Sequence, residues 1–214
     1  MSEQSKLSGL LKGVSSRRAF LGRTLASAAV VVPASVLVSQ TASAASAMNL
    51  SAAQAFKEIR SDEDAHVSYL KQALGSAARP KPSFKGLQQS NVNSFIKLSQ
   101  VFENVGVGAY LLAAPAISSK STLSAAASIL TIEARHAGYL DSLIGVPLSP
   151  NGAFDKAIPQ AQIVKDVSPF IASLNGGPDP SKPLDDDVDI LNFALLLEYL
   201  EATFYDINVP KFYW

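Results

Sequence analysis

Two short stretches, Glu63-Asp64-Ala65-His66 and Glu133-Ala134-Arg135-His136, hold the only two histidines of the 214-residue sequence, each three residues after a glutamate. On a helix, residues three apart share a face about one turn from each other, so a carboxylate and an imidazole can converge on one metal ion. Glu103, in Phe102-Glu103-Asn104-Val105-Gly106, and Glu198, in Leu197-Glu198-Tyr199-Leu200, place two more acids on apolar stretches of helical length. Two Glu-x-x-His helices and two single-Glu helices are the components of a two-metal carboxylate site in a four-helix bundle. Charge balance agrees, since the four negative charges of these carboxylates match two divalent cations.

A lone glutamate among Phe193, Leu195, Leu196, Leu197 and Leu200 would cost several kcal/mol to bury unless neutralised or paired. Taken singly, Glu103 or Glu198 reads equally well as a solvated edge, and one Glu-x-x-His reads more readily as a surface pair. The argument rests on all six together. Tyr110 follows Glu103 by seven residues and Tyr205 follows Glu198 by seven, two turns along the same face. These phenols are placed to hydrogen-bond ligands of the opposite helix and fix their orientation, although each singly fits a core tyrosine as well. Tyr69 and Tyr139, three after each histidine, repeat the symmetry and suggest a duplicated helix pair. Glu58, Asp62, Asp64, Asp141 and Glu201 are expected as exposed charges, with Glu201, one turn past Glu198, the lesser option of an additional ligand.

The elements that must position these groups follow from apolar spacing and caps. The spacing predicts helices over about Ser51 to Leu74 (Ser51 cap, Gly75 stop), about Asn91 to Ala114, and about Thr122 to Ile144, closed by Gly145. Gly106 and Gly108 beside Glu103 point to a geometric need, because an interior helical glycine costs about 0.5 to 1 kcal/mol against alanine. Residues 146–187 contain seven prolines and Gly176-Gly177 and read as a long crossover, with a short helix near Ile163 to Leu174. A last helix, about Val188 to Ile207, starts from Asp185-Asp186-Asp187 and is expected to stop at Pro210. The aromatic end Phe212-Tyr213-Trp214 is expected to dock back on the protein.

Composition allows one core: 48% of residues are apolar and 17% charged. With no cysteine, disulfides and thiolate chemistry are excluded, and any metal is held by oxygen and nitrogen. Ser16-Arg17-Arg18-Ala19-Phe20-Leu21, an apolar run from Leu25 to Val38, and Ala42-Ser43-Ala44 give residues 1–44 as a twin-arginine signal peptide and 45–214 as the bundle domain. Export to the periplasm or beyond is expected, with membrane contact only through an uncleaved signal. Removal of 1–44 takes five of the 18 basic residues (Lys6, Lys12, Arg17, Arg18, Arg23) and one of the 18 acidic ones (Glu3). The mature chain is then mildly acidic, which argues against nucleic acid as a partner.

Leu191-Asn192-x5-Glu198-x6-Tyr205 resembles the first helix of bacterioferritins and of the ferritin-like domain family that includes plant desiccation-related proteins. Phe102-Glu103-Asn104-Val105-Gly106-Val107-Gly108-Ala109-Tyr110, Ala113-Ala114-Pro115 and Ile132-Glu133-Ala134-Arg135-His136-Ala137 resemble later helices of the desiccation-related group. The resemblance implies an all-α, ferritin-like four-helix bundle in which Glu63, His66, Glu103, Glu133, His136 and Glu198 bind two metal ions, iron and/or manganese. Tyr110 and Tyr205 would then support the chemistry from behind the ligands. The order departs from the family, whose first helix here comes last. This reads as a circular permutation, with a truncated tandem or a helix exchanged between subunits as alternatives. What the resemblance implies is an exported two-metal carboxylate protein that reacts with dioxygen or hydrogen peroxide in stress protection. The alternatives are a non-catalytic stress scaffold with a relic or structural metal site, and an iron carrier of the cell envelope. The sequence leaves a homo-oligomer open.

Overall fold

Ser51 and Asn91 each accept a hydrogen bond from the backbone N–H three residues on, and their own N–H is returned to that residue's side chain, closing a capping box. These caps begin α1 (Ala52–Leu74) and α2 (Val92–Ala113). Ser119 caps α3 (Lys120–Leu143) through the Thr122 N–H, so this helix starts two residues before the expected Thr122. α4 (Gln160–Val167) is short, and α5 (Asp187–Tyr213) is the longest helix among the described residues. Two strands, β1 (Ser83–Phe84) and β2 (Ile171–Ser173), pair antiparallel. This computed structural model describes residues 51–213; the expected signal segment and Trp214 lie outside the described residues. Among the described residues no helix is long and apolar enough to cross a membrane.

α1, α2, α3 and α5 form the four-helix bundle, with α1 packed most extensively on α5 and α2 on α3. α5 is buried on nearly every side along Ile190 to Ala202, as a helix apolar all round must be. It completes the bundle of its own chain. One apolar layer, built on Phe56, Phe95, Phe102, Leu140 and Phe204, fills one end, and a second, built on Leu70, Ala113, Ala126 and Leu195, fills the other. The predicted site residues lie between them.

The link from α1 to α2 is fixed to α5 at two points. Asn192 accepts from Arg79 N (2.7 Å) and donates to Ala77 O (3.0 Å). Asn208 accepts from Gln89 N (2.8 Å) and donates to Leu87 O (3.0 Å). These asparagines are sixteen residues apart, about 24 Å of helix, so the link runs along α5 and starts α2 parallel to α1. Asp187 receives Ser118 N and Ser119 N at 2.8 and 3.0 Å and ties the α2–α3 turn to the start of α5.

Three expectations are corrected. The crossover helix ends at Val167 rather than Leu174, because Pro169 follows and the chain passes through a 3-10 turn, Ser168–Phe170, into β2. α5 continues through Pro210. A proline inside a helix costs about 3 kcal/mol, but Tyr213 stacks on Phe56 (4.9 Å between centroids), Phe212 meets Phe95 (5.7 Å), and Lys211 donates to Gln89 O. Finally, Asp141 and Glu201 are not exposed charges, being 1% and 2% accessible. Asp141 accepts a hydrogen bond from Gln100 Nε2 at 2.8 Å.

Candidate metal centre

Each of the four long helices sends an acid from its middle into the layer between the two apolar cores. Glu63, Glu103 and Glu133 are wholly buried, Glu198 is 1% exposed, and both histidines are buried with them. Heptad and i, i+3 spacing places them there: core residues such as Phe56, Ile59 and Leu70 set the inward face of α1, and Glu63 and His66 share it. The same logic holds for Ile129, Glu133, His136 and Leu140 on α3.

The donors form two groups, Glu63, His66, Glu133, Glu198 and Glu63, Glu103, Glu133, His136, with donor atoms within 4.8 Å of one another in each. Glu63 and Glu133 belong to both. Glu63 turns Oε2 to His66 Nδ1 (3.3 Å) and Oε1 to His136 Nδ1 (3.1 Å). His66 Nδ1 also faces Glu133 Oε1 and Glu198 Oε2, both at 3.2 Å, and His136 Nδ1 faces Glu103 Oε2 at 3.2 Å. One ring nitrogen carries at most one proton and cannot satisfy three carboxylates. Accordingly Glu63 Oε1 and both oxygens of Glu133 are buried without a hydrogen bond. Two buried oxygen-rich donor sets that leave such atoms unsatisfied, each with one imidazole, fit a pair of divalent cations.

The unshared acids are held from behind. Tyr110 OH donates to Glu198 Oε1 and Tyr205 OH to Glu103 Oε1, each at 2.5 Å, which leaves the Oε2 of both glutamates for the centre. Each tyrosine thus orients the acid of the other single-Glu helix. Gly106 has a steric reason: a Cβ there would lie 2.5 Å from Glu133 Oε2 and 3.4 Å from Glu201 Oε1. Gly108 serves the crossover instead, because a Cβ would collide with Ile158, whose N–H donates to Gly108 O at 3.1 Å.

Electrostatics report the crowding. Burial, then the charge of Glu103, pushes Glu63 up to about 7 from 4.5, and burial with the charge of Glu63 and Glu103 raises Glu133 well above the usual carboxylate range. Burial alone would lower the imidazoles. For His136 the charge and hydrogen bond of Glu103, with Glu63, outweigh it and push the ring up to about 11; Glu133, Glu198 and Glu63 raise His66 similarly. Where protons are the only cations, protons hold the acids together.

Residues 23–146 and 186–213 match the family model described as Ferritin-like domain, more than half of the chain. The chain belongs to the ferritin-like domain family. All six donors and both tyrosines fall within the matched segments, and the crossover falls outside them. Among curated proteins no sequence, and among solved structures no chain, matches it.

Sequence reasoning missed one residue of this ferritin-like site, Asp62, and gave another, Glu201, only as the lesser option. Glu201 is buried beside Glu133 against Gly106, and burial, with Glu133 next, raises its carboxyl well above the ordinary range. Its signal was there: it shares an otherwise apolar helix with Glu198. Asp62 accepts from His136 Nε2 at 3.2 Å. A half-exposed acid next to a ligand reads as a surface charge, so no pattern marked it.

Proposed function

We propose that this ferritin-like protein holds two metal ions, iron and/or manganese, through Glu63, His66, Glu103, Glu133, His136 and Glu198, and reacts with dioxygen or hydrogen peroxide in protection against oxidative or drying stress. The observation that carries the reading is the sharing of Glu63 and Glu133 between two donor groups that each add one histidine and one tyrosine-held glutamate. When bound, such a pair of ions would supply the electrons for reducing oxygen or peroxide. The protein's own residues set the conditions. Tyr110 and Tyr205 fix Glu198 and Glu103, the two apolar layers limit water, and Gly106 keeps room for Glu133.

The twin-arginine pattern and the A-x-A motif support export of a folded, loaded protein. The pairing of α5 with α1 and of α2 with α3, with the α1–α2 link running along α5, supports a circularly permuted order. The test is hydrogen peroxide turnover by protein reloaded with manganese or iron, beside a Glu63→Gln, Glu133→Gln variant. Consumption by the wild type alone supports the reading. Peroxide consumption equal in both, or protection of partner proteins that survives the double substitution, favours a scaffold with a structural metal site.

A further inference from the structure

The two halves of the centre match in their inward donors and differ in what stands behind the histidines. His136 Nε2 lies 3.2 Å from Asp62 Oδ2, the residue that precedes Glu63 on α1. The corresponding residue of α3, preceding Glu133, is Ile132, whose hydrocarbon side chain can accept no hydrogen bond. His66 presents its Nδ1 to the carboxylates, and among the described residues no group hydrogen-bonds its Nε2. Instead His66 and Ile132 stand together in the wall of an open groove of about 470 Å³ between α1 and α3, with Ala65, Tyr69, Ser124 and Ser128. α1 and α3 make few close backbone approaches, which is why the groove exists.

We propose that the two metal positions are inequivalent: the His136 position is the tightly held one, oriented by Asp62, and the His66 position exchanges with solvent through the α1–α3 groove. A carboxylate on the outer nitrogen fixes the ring's tautomer and angle and makes the inner nitrogen a stronger ligand. Asp62 is therefore a positioning residue, acting through His136. The groove, lined besides His66 by apolar and hydroxyl side chains with no acid or lysine or arginine among them, admits water-sized solutes such as hydrogen peroxide to the looser ion. This inference rests on the two-metal reading.

The experiment is titration of the metal-free full chain with Mn(II), following free ion by electron paramagnetic resonance. The wild type is expected to fill in two steps separated by about tenfold or more. Asp62→Asn weakens the tighter step by about 10- to 100-fold and leaves the other in place. Asp62 is 37% exposed, so the fold is not at risk. Ile132→Asp tightens the weaker step, and Ser128→Phe slows removal of the looser ion by a chelator without moving its affinity. Two ions bound in one indistinguishable step, or an Asp62→Asn titration identical to the wild type, overturns the inference while leaving the two-metal reading intact. No bound Mn(II), with no Fe(II) bound in the same titration done without oxygen, overturns both.

Discussion

Tyr110 and Tyr205 each hold one oxygen of an unshared glutamate and leave the other for the centre. Tyr110→Phe and Tyr205→Phe should therefore keep the fold and weaken metal binding by about 10- to 100-fold, as measured by competition with a chelating dye. Gly106→Ala puts a methyl group 2.5 Å from Glu133 Oε2, so it should lower metal occupancy more than it lowers melting temperature. The pH dependence has a definite sign. Glu63, pushed to about 7 from 4.5, and the raised Glu133 and Glu201 favour the folded state below their ordinary range and lose that contribution as pH rises. The raised imidazoles act in the same direction, fully below 6.5 and fading towards about 11 for His136. The metal-free protein should thus melt lower at about pH 8 than at about pH 5, and added Mn(II) should raise the melting temperature more at the higher pH, because binding displaces protons. The convergence of these six side chains was legible in the sequence because i, i+3 spacing and the scarcity of histidine marked them. Asp62 was not, and Glu201 only as the lesser option, because whether a charge beside these groups faces inward depends on what the neighbouring helix places opposite it.

At the scale of elements, caps made the starts of α1 and α2 legible: Ser51 and Asn91 carry their capping partners within the local sequence. Ends that depend on distant packing were not legible. Pro210 reads as a stop, yet the aromatic contacts of Phe212 and Tyr213 hold the last turn in helix. The strand pairing of Ser83–Phe84 with Ile171–Ser173 joins segments about ninety residues apart, and no local pattern announces it. Asn192 and Asn208 looked like ordinary helix residues and turn out to fasten the α1–α2 link. Asn192→Ala and Asn208→Ala each remove the acceptor of a linker N–H. Each should cost about 1 to 3 kcal/mol, seen as a lower urea midpoint, with metal stoichiometry unchanged.

At the scale of the whole domain, four helices bring five acids, Glu63, Glu103, Glu133, Glu198 and Glu201, into a layer closed by apolar side chains at both ends. Such a layer is stable only with cations or protons in it, so what the candidate centre binds and the stability of the fold are coupled. The most direct measurement is the metal content of the folded protein after loading with iron or manganese and exhaustive dialysis, read by mass spectrometry beside the Glu63→Gln, Glu133→Gln variant. The account predicts about two equivalents per chain in the wild type and a large loss in the variant. Less than about half an equivalent in the wild type, or full retention in the variant, would contradict it.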